Sequence, residues 1–178
     1  ALDGIPHQQK IKRKPEGVGA EMKAASCGVT RILLQLDIME GAEAMASKPY
    51  YNEYGAGCSV VLRLLTPWKY KNKVVIADSA FSSLLTLIAL WCLFGTFFMG
   101  IVKTAHTHFP LDVLRQWFNR TEAERDRNDN RGEWAVFTTT FKNRISPRDP
   151  LRADRNFSVM AVCWADRKPK CIISNWSN

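Results

Sequence analysis

A short apolar run that ends on one acid and passes straight into a helix constrains this chain most. It reads Lys73-Val-Val-Ile-Ala-Asp78-Ser-Ala-Phe-Ser-Ser83, followed by Leu84-Leu-Thr-Leu-Ile-Ala-Leu-Trp-Cys-Leu-Phe94. Val74 to Ala77, introduced by charge, is predicted as a buried, parallel, central strand. Ser82 and Ser83 are N-cap residues, and Leu84 to Phe94 is apolar enough for a buried helix. Asp78 then falls at the carboxyl end of a central strand, where open α/β sheets place their sites. A carboxylate there needs a cation or a donor to offset its desolvation. The competing reading is local: Asp78 caps the following helix or faces water at the strand end.

Residues 80–102 carry no formal charge over 23 positions, long enough to span a bilayer. Gly95-Thr96 interrupts the stretch, Ser82, Ser83 and Thr86 lie within it, and Asp78 abuts it. The spacing instead predicts a helix to Phe94, a turn at Gly95 and a strand Phe97–Val102, which makes a βαβ unit. No membrane is expected as a partner.

The formal net charge is +8 on 178 residues, with a pI near 9.4. That balance points to a polyanionic partner, nucleic acid before membrane. Five cysteines (Cys27, Cys58, Cys92, Cys163 and Cys171) form no Cys-x-x-Cys pair, so reduced thiols of a cytosolic or nuclear protein are expected. Three Asn-x-Ser/Thr triplets, at Asn119, Asn156 and Asn175, pull the other way, toward secretion. The chain starts Ala-Leu-Asp-Gly, with neither a signal peptide nor an initiator Met, and is expected to be a fragment.

The rest reads as mixed α/β. Gly19–Ser26 and Ile32–Met39 flank a turn at Cys27–Thr30 and predict an antiparallel hairpin. Its second strand alternates Ile32, Leu34, Leu36 and Ile38 against Leu33, Gln35, Asp37 and Met39, a half-buried pattern. Asn52–Leu65 is predicted helical, weakened near Gly55 and Gly57 and ended by Thr66-Pro67. A short helix is expected over Leu111–Phe118. Residues 119–133 hold one apolar side chain among dense mixed charge and read as an exposed loop. Strands are expected at Trp134–Phe141 and Phe157–Trp164, the latter returning through Ala165–Lys170 into Cys171–Ser174.

In that order the elements resemble the transposase domain of piggyBac-type elements. The resemblance is carried by Ile11-Lys-Arg-Lys-Pro-Glu-Gly-Val-Gly-Ala-Glu21, the strand end Asp37-Ile-Met-Glu-Gly41 and the helix Tyr54-Gly-Ala-Gly-Cys-Ser-Val-Val-Leu-Arg-Leu-Leu65. Val74-Val-Ile-Ala-Asp78 follows, and Asp78-Ser-Ala-Phe-Ser-Ser is similar to the family's Asp-Asn-Phe-Phe-Thr-Ser block. Phe98-Met-Gly-Ile-Val-Lys103 and Val159-Met-Ala-Val-Cys-Trp-Ala-Asp-Arg-Lys168 resemble its later strand and hairpin.

The resemblance implies an RNase H-like mixed sheet flanked by helices. Residues 1–118 would be part of that core, 119–133 a charged loop, and 134–178 a β-rich extension of the same domain. It implies that Asp78 is the second of three catalytic, metal-binding aspartates, with Mg2+ or Mn2+ as cofactor in the complete protein. Two such ions about 4 Å apart serve in-line displacement at a phosphodiester, and carboxylates suit them as hard ligands. The sequence also departs from the family. The first acid, in an Asp-Glu motif upstream of Lys10, and the third, in a Gly-Gly-Val-Asp segment after the last hairpin, are both missing. Asp3 and Asp166 do not replace them. Ser79 stands where the family has Asn.

Alone, then, the chain is not expected to catalyse. DNA is the expected partner, a homodimer a further expectation, and the nucleus the expected location. Lys12, Arg13 and Lys14 are candidate phosphate contacts, as are Lys71 and Lys73, which with Lys69 lead toward the Asp78 strand. His106 and His108, two apart, lack enough neighbouring ligands for a metal site. Trp117, Trp134, Trp164 and Trp176 are candidate base-stacking residues or core. A derivative that binds DNA without cutting it is the alternative function, and a small membrane protein the third.

Overall fold

Residues 7–10, 15, 17–103, 109, 112–114, 116–118, 132–141, 157–166 and 169–176 are described by the computed structural model. The chain divides into two units between Trp68 and Lys69.

In the first unit β1 (Gln8–Lys10) pairs antiparallel with β2 (Val18–Ala20), and β3 (Met22–Ser26) with β4 (Leu33–Ile38). The hairpin around Cys27–Thr30 is as predicted, although its first arm is two short strands rather than one. The predicted half-burial of β4 is overturned. Leu34, Leu36 and Ile38 are exposed, and the buried residue of the strand is Asp37. The reason is charge compensation. Arg63 Nε and Nη2 donate to Asp37 Oδ2 at 3.0 and 2.7 Å, and Lys48 Nζ donates to Oδ1 at 3.1 Å. An acid tolerates burial when cations and donors replace its water, and here two cations do so.

Those cations come from the helical layer. Lys48 follows α1 (Ala42–Ser47), a helix with no advance sign in the sequence, and Arg63 lies in α2 (Tyr51–Leu65). Gly55 breaks α2 in its first turns with φ of 72°, a backbone that side chains other than glycine resist. Beyond the break Cys58, Val60, Val61, Leu62 and Leu64 are buried, and α2 packs on β3 and β4. A 3-10 turn at Thr66–Trp68 ends the helix where Pro67 was expected to.

The second unit is built on β5 (Val74–Ala77), α3 (Leu84–Ala89) and β6 (Phe97–Val102). A π-helical turn, Leu90–Phe94, and a left-handed Gly95 join α3 to β6. Residues 80–102 therefore split as predicted, and β5 and β6 run parallel. No helix among the described residues is long and apolar enough to cross a membrane. β7 (Trp134–Phe141), β8 (Phe157–Ala165) and β9 (Pro169–Ser174) complete a five-stranded mixed sheet in the order β5-β6-β9-β8-β7. Leu87, Leu90, Phe94, Phe98, Val159 and Ile173 are buried in this unit. Asp112–Leu114 and Gln116–Phe118 are helical, within the span predicted.

Two expectations fail here. Among the described residues β5 is the edge strand of its sheet, not a central one, and it is half exposed: Ile76 is 78% accessible. Its apolar composition suits burial on both faces, but pairing on one side is all that the described residues supply. The cysteines are not all reduced either. Cys163 and Cys171, directly opposite in the β8–β9 register, form a disulfide, of which Cys27, Cys58 and Cys92 are not part. No local spacing motif marks the pair, because the hairpin register alone brings the two together.

Candidate active site

Asp78 leaves the carboxyl end of β5 and is exposed. A tight turn presents it. Asp78 Oδ1 accepts the Ala80 N–H at 2.8 Å, and the Asp78 carbonyl accepts the N–H groups of Phe81 and Ser82 at 3.2 and 3.1 Å. The Ser82 hydroxyl is buried behind the turn, 2.7 Å from the Asp78 carbonyl oxygen and 3.1 Å from that of Ala77. Ser83, not Ser82, caps α3: its Oγ accepts the Thr86 N–H at 3.0 Å. The carboxylate thus serves a local turn with one oxygen and does not cap the helix.

Gly100 makes the turn possible. It is the register partner of Ala77 across the β5–β6 pair. A Cβ on Gly100 would lie 2.1 Å from Ser82 Oγ and 2.9 Å from Ser82 Cβ, so only a residue without a side chain leaves room for the hydroxyl. No local signal marks this seat, since by sequence Ser82 reads as a helix cap and Gly100 as a strand residue.

The donor set meets a hard cation in part. Asp78 offers one carboxylate, and among the described residues no group of three His, Cys, Asp or Glu side chains could hold a metal. Asp166 pairs with Lys170 at 2.9 Å in its turn and is committed locally. Asp3, His106 and His108 lie outside the described residues.

The basic residues sort differently from expectation. Lys71 and Lys73 are exposed, but they precede β5 whereas Asp78 follows it, so Lys73 and Asp78 stand roughly 16 Å apart along an extended strand. They do not lead to the acid. Lys69 instead places its ammonium 4.4 Å from the Phe94 ring centroid. Lys12, Arg13 and Lys14 lie outside the described residues, as does the charged stretch 119–131. Of the tryptophans, Trp134 is 68% exposed, and Trp117 meets Phe137 edge to face at 6.4 Å. Asn175 is buried with its side-chain oxygen accepting the Phe98 N–H at 2.7 Å, a core position rather than a surface sequon.

The family Transposase IS4 matches residues 3–178. This chain belongs to it. Among solved structures the transposase chain is similar to one described as the cryo-EM structure of the piggyBac transposase synaptic complex with hairpin DNA. The TM-score is 0.68 at 15% identity, over 97% of this chain and 30% of that one. The fold resemblance read from the sequence is therefore found in three dimensions, and the chain spans about a third of that transposase's length. No curated protein matches.

Proposed function

We propose that this chain is part of the catalytic domain of a DNA transposase and that Asp78 is one of its metal-binding carboxylates. One observation carries the reading. In a transposase fold, the exposed acid at the end of the parallel strand β5 is held out by a turn built from its own neighbours. The residues present are consistent with one ligand of a larger set, since Mg2+ is usually held by one or two carboxylates together with waters and phosphate oxygens. When bound, a pair of Mg2+ or Mn2+ ions supplies the charge that activates an incoming oxygen and stabilises a leaving one. Asp78 fixes one coordination direction by the bond from Ala80 N–H to its other oxygen. Lys71 and Lys73 belong to the DNA-facing part of the proposal, as phosphate contacts away from the acid. Nuclear residence and a homodimer belong to it too.

The test is DNA cleavage and strand transfer by the longest natural chain that contains these residues, with Mg2+ or Mn2+. Asp78→Ala is expected to reduce both steps to background while DNA affinity is kept. Full activity in that variant would remove Asp78 from the site. The second reading, a derivative that binds DNA without cutting it, is favoured by the absence of a complete acid cluster among the described residues. It predicts DNA binding with no cleavage in that longest natural chain without any substitution.

A further inference from the structure

The turn that presents Asp78 is backed by a buried neighbour, Ser82. The Asp78 carboxylate is exposed, and the backbone around it would be free to swing if nothing tied the turn to the sheet. The Ser82 hydroxyl is the tie. It is 1% exposed and reaches two consecutive carbonyls, Ala77 at the last position of β5 and Asp78 itself. One hydroxyl proton serves one of them at a time, with the 2.7 Å contact to Asp78 the shorter. The space it occupies exists because Gly100 carries no side chain opposite Ala77, and the φ of Gly100 lies in the range open to any residue. Glycine is required there for room alone.

We infer that Ser82, seated in the gap left by Gly100, is the positioning residue that fixes the direction of the Asp78 carboxylate. The inference rests on the reading of Asp78 as a metal ligand. Without the hydroxyl the Asp78 carbonyl keeps its two amide donors but loses its attachment to the strand end. The Oδ1 bond to Ala80 N–H then has no fixed frame. The Gly100 gap makes the same point from the other strand, because a methyl group there displaces Ser82 without deleting any polar group of the turn.

The experiment is amide NMR of the longest natural chain that contains these residues, titrated with Mn2+ alone, following paramagnetic broadening at Ser79 and Ala80. Broadening is expected in the unaltered chain and is expected to vanish in Asp78→Asn. Ser82→Ala and Gly100→Ala should each raise the Mn2+ concentration needed by about two- to tenfold, the worth of one hydrogen bond. Ser82→Thr, which keeps the hydroxyl, should stay near the unaltered value. An unchanged Mn2+ response in Ser82→Ala, with Asp78→Asn still silent, overturns the positioning role and leaves the metal reading standing. No broadening in the unaltered chain overturns the metal reading instead. Ala80 amide exchange then decides the positioning role: acceleration in both Ser82→Ala and Gly100→Ala supports it, and exchange unchanged in either overturns it.

Discussion

Arg63 grips Asp37 through two nitrogens on a single oxygen, Nε at 3.0 Å and Nη2 at 2.7 Å, across 26 residues of sequence. Arg63, in the body of α2, also donates to the Pro49 carbonyl at 3.1 Å, so one guanidinium joins the end of β4 to the link between α1 and α2. Removing the acid leaves Arg63 without its carboxylate in a mostly buried place, while Lys48 keeps Glu40 at 2.8 Å. Asp37→Ala is expected to cost about 3 kcal/mol in urea unfolding. Arg63→Lys, which keeps the charge but not the forked geometry, should cost about 1 kcal/mol.

The same corner sets a pH dependence. The Lys48 hydrogen bond holds the Glu40 carboxyl below its ordinary value, helped by the charges of Lys48 and His7 against partial burial and the nearby Asp37. Burial opposes the charged form of Lys48, yet its bonds to Glu40 and Asp37 outweigh that and hold its ammonium above the usual range. A lowered acid contributes stability that is present above its unfolded pKa and lost as pH falls through the folded one. A raised amine contributes stability that is present below its unfolded pKa and lost as pH rises through the folded one. Denaturation midpoints are therefore expected to fall below about pH 4.5 and above about pH 10.5. Glu40→Gln should weaken the acid limb, and Lys48→Met should remove the alkaline one.

The Cys163–Cys171 disulfide closes a loop that the hairpin register already closes. Loop entropy assigns such a short link about 2.5 kcal/mol. Reduction is expected to lower stability by no more than that in chemical unfolding, and the β8–β9 amide protection pattern should survive it.

DNA affinity separates from chemistry in the basic segment. If Lys71 and Lys73 meet phosphate, the double change to Gln should reduce the slope of log affinity against log salt by about 2. Metal response at Asp78 should stay unaltered, because the two ends of β5 are distinct places. An unchanged salt slope would return both lysines to the solvated surface.

Local punctuation made much of the second unit legible. The run Val74–Ala77, the Ser83 cap, the left-handed Gly95 and the strand Phe97–Val102 all follow from nearest-neighbour chemistry. What escaped depends on partners far along the chain. Asp37 in an alternating strand reads as the solvent face until Arg63 and Lys48 arrive to neutralise it. The edge position of β5 is a property of pairing, which an apolar run cannot announce. The Ser82 seat is likewise set by what is missing at Gly100, 18 residues away. Asp78 itself was legible as a strand-end acid, whereas the turn that aims it was not.

The open side of β5 has a practical consequence. Along Val74–Ala77, main-chain donors and acceptors on one side have no strand to meet among the described residues, and Ile76 stands beside them in water. Such a border invites another extended segment to add to it. Handled alone, this polypeptide should associate with itself as concentration rises, and Ile76→Lys should suppress that association.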